Sequence, residues 1–210
     1  MDFKKLTEQY YSLCLGTPNI LCDTEAGITF VYSDERNKIT PGYSSQFDIY
    51  ALFQKDKAFI SYGNKTISNL ELLKQSRISD INDFSWTIHE LYNQHVVCHK
   101  KFCYQSPCES DKKAIPLERS DYLKYLSFFK TVHPFCQNTD WVEEYFYDMT
   151  DYHLCCGVFD DGMLVSCTDA PDMPYLSNKV QEIGINTLLE YRGRGYAAAA
   201  CSLCAEHIIA

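Results

Sequence analysis

Glu182-Ile183-Gly184-Ile185-Asn186-Thr187-Leu188-Leu189-Glu190-Tyr191-Arg192-Gly193-Arg194-Gly195-Tyr196-Ala197 is the stretch that decides how the second half of this chain folds. An alternating segment runs into a turn of arginine and glycine, and an alanine-rich segment follows. Alternation predicts a strand over Lys179–Leu188. Val180, Glu182, Gly184 and Asn186 would share one face, and Ile183, Ile185 and Thr187 the other, with Ile183 and Ile185 in the core. The helix that follows begins with unpaired N–H groups and the positive end of its dipole. Gly193 and Gly195 let the backbone approach an anion, and Arg192 and Arg194 add charge at the rim. Strand, turn and helix in this order predict a phosphate cradle. The plainer reading is a tight strand-to-helix turn with both arginines solvated.

Arg192-x-x-Gly195-x-Ala197 after such a strand resembles the Q/R-x-x-G-x-G/A signature of the GNAT N-acetyltransferase superfamily. Glu190-Tyr191-Arg192-Gly193-Arg194-Gly195 is similar to the E-Y-R-G-K-G form of that loop, with Leu189 where many members carry proline. The resemblance implies an enzyme that moves an acetyl group from acetyl-coenzyme A to a small-molecule or peptide amine. The pyrophosphate would lie on the main chain of Arg192, Gly193, Arg194, Gly195, Tyr196 and Ala197. The pantetheine arm would pair with the backbone of Ile185, Asn186 and Thr187. Glu182 precedes Arg192 by a distance similar to that of the strand glutamate several members use as a base. His153, Asp169 or a water chain are the alternatives, and Tyr196 either covers the cofactor or packs on the sheet.

Working outward, Ala114–Leu117 reads as a short strand, and a helix starts at Ser120 or Asp121. Asp140-Trp141-Val142-Glu143 fits a capping box opening a second helix through Met149. His153–Phe159 and Met163–Thr168 read as a hairpin about Asp160-Asp161-Gly162, since Asp-Gly suits the mirror-image turn. Strand, two helices, hairpin, strand, loop and helix is the opening order of the GNAT fold, so the resemblance covers residues 113–210. That fold continues with a strand, a helix and usually a hairpin, so a domain incomplete at its C-terminal end is expected. Truncation or completion by a partner, including a homodimer, would account for it.

Residues 1–108 read as a small accessory α+β domain of unassigned role. It has a strand at Gly27–Tyr32, a hairpin over Phe47–Tyr62, and helices at Ser68–Gln75 and Phe84–Asn93. The polar, proline-containing stretch Ser106–Lys113 reads as the boundary. The predicted fold class is mixed α/β (α+β).

Composition narrows the function. A net charge of −9 argues against a nucleic-acid partner, which needs a basic face. No apolar run is long enough for a membrane span, and Met1–Gln9 has no leader-like core, so a cytoplasmic protein is expected. The 11 cysteines are then expected as thiols. Cys201-x-x-Cys204 lies in the alanine-rich helix and reads as packing. His95–Cys108 holds five soft ligands without a standard spacing. No metal is predicted, although a zinc-stabilised adaptor is a distant alternative. The main rival to an enzyme is a non-catalytic binding or interaction protein that keeps the loop alone.

Overall fold

The structure, a computed structural model, describes residues 2–18, 20, 26–40, 45–101, 110–170 and 173–210. The protein is mixed α/β, with six α-helices and two sheets among these residues. It divides into two units: Met1–Tyr104 with Met173–Val180, and Gln105–Asp172 with Gln181–Ala210. The sequence grouped 113–210 as one stretch; the structure removes Met173–Val180 from it. Met173, Tyr175, Leu176 and Val180 supply apolar side chains to the first unit's core.

The first unit is built on a sheet in the order β1-β3-β2, from β1 (Gly27–Tyr32), β2 (Ile49–Gln54) and β3 (Lys57–Tyr62). β2 and β3 form an antiparallel hairpin, and β1 joins β3 in parallel. Alternation along β2 and β3 feeds both faces. Tyr50, Leu52 and Phe59 meet α1 (Phe3–Leu15), while Ile49, Ala51, Phe53 and Ile60 meet α2 (Leu70–Gln75) and α3 (Ile81–Tyr92). Both faces are therefore covered, which explains the near-continuous apolar runs. The helix expected from Ser68 begins as a 3₁₀ turn, Asn64–Asn69, and becomes α-helical at Leu70. α1 ends at Gly16, with φ of 77°, and has no basic residue in its last turn. Arg36 fills that role from elsewhere: its buried guanidinium donates to the Cys14 carbonyl at 2.9 Å, where a cation suits the helix dipole.

The second unit is a four-stranded antiparallel sheet, β4 (Ala114–Pro116), β5 (Cys156–Asp160), β6 (Met163–Asp169) and β7 (Gly184–Thr187), in sequence order. Asp161 and Gly162, with φ of 47° and 78°, make the two-residue turn between β5 and β6, as a mirror-image turn requires. α4 (Tyr122–Val132), α5 (Val142–Asp151) and α6 (Tyr196–Ile209) pack with the sheet. Tyr125 stacks on Phe146, ring centroids 4.5 Å apart.

Two local expectations are corrected. The capping box does not form at Asp140–Glu143: α5 follows Trp141 without a side-chain cap. The Asn138 carboxamide and the Thr139 carbonyl instead shape the turn before it, accepting from the N–H groups of Asp140 and Val142 at 2.9 and 3.1 Å. A capping box forms at Glu118–Asp121, ahead of α4. The strand expected over Lys179–Leu188 is confined to Gly184–Thr187. Its partner β6 ends at Asp169, opposite Gly184, so residues further upstream have no ladder to join. The N–H groups of Lys179 and Val180 bond to the Leu176 carbonyl instead, at 2.8 and 2.9 Å.

Phe146 has 0% exposure and anchors the second unit's core. Phe146→Ala is expected to lower the unfolding free energy by about 3–5 kcal/mol, measured by denaturant titration monitored on this unit. A loss below 1 kcal/mol would contradict the packing described.

Candidate functional site

The sequence-predicted turn is built at the C-terminal end of β7. A 3₁₀ turn at Leu189–Tyr191 leads to Gly193 and Gly195, whose φ angles of 73° and 85° fall in the left-handed region. Gly195 is the N-cap of α6, and no side chain caps it. The first helical bond runs from the Ala199 N–H to the Gly195 carbonyl, 3.1 Å. The N–H groups of Tyr196, Ala197 and Ala198 therefore precede the hydrogen-bond ladder. They meet exposed Gly193, Arg194 and Gly195 at the positive end of a 14-residue helix.

The side chains around this turn divide by role. Arg192 is not simply solvated: its Nε donates to the Thr187 carbonyl at 3.1 Å, tying the turn to the strand end. Arg194 lies over the Tyr191 ring, 5.6 Å from its centroid. Tyr196 is buried, and its hydroxyl donates to Asp160 at 2.9 Å. It packs on the sheet, so its main chain is what it offers a ligand. Residues 110–112 border the turn, a feature the sequence reading missed. The Ser110 hydroxyl donates to the Gly195 carbonyl at 3.3 Å, and Lys112 Nζ lies 5.4 Å from the Tyr196 ring centroid.

At the other end of β7 the structure collects a second group of residues. A small pocket between α4 and the sheet is lined by Tyr125, Phe128, Phe129, His133, Asp169 and Asn186, among others. Asp169 accepts a hydrogen bond from the Tyr145 hydroxyl. Burial pushes its carboxyl above the usual carboxylate range, against the Tyr145 bond and the positive charge of His133. Glu182 adds a further upward push through its own charge. Glu182 thus lies just before β7, half-buried and within electrostatic reach of Asp169.

The predicted residues fall into two groups along one strand. Ile185 and Thr187 occupy one face of β7, and Gly184 and Asn186 the other. Thr187 meets its register partner Ser166 through their hydroxyl oxygens, 2.8 Å apart. Ile183 and Ile185 are half-buried and pack against different clusters, so neither is fully core. His153 is set apart from both groups: its carbonyl accepts from His207 Nδ1 at 2.9 Å, near the C-terminal end of α6.

The remaining ligand candidates behave as structure. Cys204 is buried, and its Sγ donates to the Leu154 carbonyl at 3.3 Å. The described cysteines are all thiols. No group of three or more metal-ligating side chains gathers among the described residues. Part of the His95–Cys108 segment, residues 102–108, lies outside them. No described helix is long and apolar enough to cross a membrane. Compared with known proteins, the chain matches no family model, no curated protein and no solved structure.

The raised carboxyl of Asp169 has a thermodynamic sign. Its folded value lies above the unfolded one, so the native state holds more protons between the two and stability falls as pH rises through the folded value. Asp169→Asn keeps an acceptor for Tyr145 and removes the half-buried charge. The variant is expected to melt higher than wild type at pH 7, with the difference shrinking as pH falls toward 4. A variant that melts lower at pH 7 would contradict this.

Proposed function

We propose that the second unit is an acetyl-coenzyme A-dependent N-acetyltransferase of the GNAT type, acting on an amine. The observation that carries this reading is the Gly193–Gly195 turn. Two left-handed glycines deliver the first amides of α6, free of intrahelical partners, to the end of a strand. The order of strand, two helices, hairpin, strand, turn and helix supports it.

In this reading the pyrophosphate of the coenzyme sits on the main chain of Arg192 to Ala197. Its charge is met by the helix dipole and by Arg194, while Arg192 holds the turn to Thr187. β7 is the last strand of its sheet, so one edge of Ile185, Asn186 and Thr187 has no strand partner among the described residues. Amide groups of the pantetheine arm pair there as a strand would. The arm then lies along β7 toward Gly184 and brings the thioester to the end where Asp169 and Glu182 lie. An N–H from this stretch stabilises the oxyanion, and the carboxylate pair takes the proton of the attacking amine.

The rival reading, a non-catalytic binding protein, draws on Asp111. An added Cβ at Gly195 would lie 3.8 Å from its Oδ1, which sets a negative charge beside the proposed anion site. Lys112 offsets it, with Nζ 3.4 Å from the Asp111 carboxylate.

Calorimetric titration separates the two readings. Wild type should bind acetyl-coenzyme A, and Gly195→Val should lose about a hundredfold or more in affinity. Valine is strained at this φ and its branched side chain would crowd the amides, each worth about 1.5–3 kcal/mol to a phosphate. Far-ultraviolet circular dichroism should remain unchanged. Equal binding by both forms would overturn the cradle, and no binding by wild type would favour the rival.

A further inference from the structure

We infer that the segment Ser110-Asp111-Lys112, ahead of β4, is a charge switch built onto the glycine turn: Asp111 holds the Lys112 ammonium in the free protein, and a diphosphate group takes it over. The inference rests on the coenzyme reading for its ligand, and it adds regulation by residues outside the turn.

Three observations carry it. The segment lies against the N-cap of α6. Ser110 Oγ, Asp111 Oδ1 and Lys112 Cγ stand 3.4, 3.8 and 3.8 Å from the position that a Cβ on Gly195 would occupy. All three residues therefore meet the turn where glycine leaves room. Second, hydrogen bonds fasten the segment there. Ser110 Oγ accepts from the Lys112 N–H at 3.1 Å and donates to the Gly195 carbonyl at 3.3 Å. The two charged side chains are thereby brought to the start of the helix. Third, their charges are paired with each other yet open to exchange. Lys112 Nζ lies 3.4 Å from Asp111 Oδ2, with side-chain exposures of 33% and 82%. The same Nζ lies 5.4 Å from the ring centroid of Tyr196, the first residue of α6.

The pair works in two directions. Asp111 sets a negative charge beside the amides that would receive an anion, and Lys112 offsets it. An exposed pair of this kind is weak, because water and salt screen it. A diphosphate group presents more charge and more acceptor oxygens than a carboxylate, so it outcompetes Asp111 for the ammonium. Lys112 then turns from Asp111 to the ligand. A singly charged anion has no such advantage and still meets the repulsion of Asp111. The segment therefore biases the turn toward ligands of higher charge. The arginines of the turn are engaged otherwise: Arg192 is tied to the Thr187 carbonyl, and Arg194 lies over Tyr191.

The test is calorimetric titration of coenzyme A, at low ionic strength, into wild type, Asp111→Asn, Lys112→Gln and the double variant. Lys113→Gln, at an exposed neighbouring position, controls for net charge. Asp111→Asn should bind about two- to fivefold tighter than wild type, and Lys112→Gln about two- to fivefold more weakly. The loss from Lys112→Gln should be larger in the Asp111→Asn background, where the ammonium has no partner to give up. Lys113→Gln should change affinity less than Lys112→Gln does. Equal binding by wild type and Asp111→Asn, an equal Lys112→Gln loss in both backgrounds, or a loss that Lys113→Gln reproduces would overturn the switch and leave the cradle standing. No binding of coenzyme A by any of these forms would overturn the switch and the acetyltransferase reading together.

Discussion

A four-residue ladder carries everything the second unit proposes to do. Ser166 to Asp169 on β6 pair with Thr187 to Gly184 on β7, a span of about 10 Å. At one end the Thr187 carbonyl is taken by Arg192, which fixes where the glycine turn begins. At the other, Gly184 closes against Asp169. The two ends are thus set at a distance by strand geometry rather than by loops. A site that grips a long ligand at its charged end and acts on its other end needs such a rigid spacer. Shifting the register by one residue would move Asn186 off the pocket face and Ile185 onto it.

The electrostatics of the two ends are opposite in kind. The turn offers partial positive charge from the first amides of α6, which precede the helix's own hydrogen-bond ladder beside exposed Gly193 to Gly195. The pocket end holds a carboxylate that would prefer more water than it has. Its cost is tolerated because the Tyr145 hydroxyl bond offsets part of the desolvation. A half-buried charge kept at the expense of stability is common where a group must bind or exchange a proton. In the proposed reading the overall charge of −9 works in the same direction, favouring the approach of a cationic amine and leaving capture of the anionic coenzyme to the turn.

What the sequence disclosed follows from how local each signal is. The Gly193–Gly195 turn and the Asp161-Gly162 hairpin are legible because the residues that demand the left-handed backbone sit at the turn itself. Strand length was not: alternation continues through Glu182 and Val180, but the ladder stops where β6 stops, and nothing in Lys179–Ile183 encodes that. The return of Met173–Val180 to the first unit is hidden for a similar reason, since any apolar face available would accept those side chains. The Asp169 pocket could be reached only in part. Asp169 itself was an alternative base, yet Tyr145 is one of 16 tyrosines and His133 simply ends α4. Their convergence depends on how α4 and α5 pack on the sheet. Arg36 is a similar case in the first unit: the Cys14 carbonyl at the end of α1 and the Tyr50 ring that receive its buried guanidinium both lie far from it in sequence.

Backbone NMR with acetyl-coenzyme A tests the central claim most directly. If the turn is a phosphate cradle, the amides of Gly193 to Ala198 should shift most, followed by Ile185 to Thr187 along β7. The first unit should stay still. Saturating coenzyme that leaves Gly193 to Ala198 unmoved, or that shifts residues elsewhere instead, would show that the two glycines make only a turn.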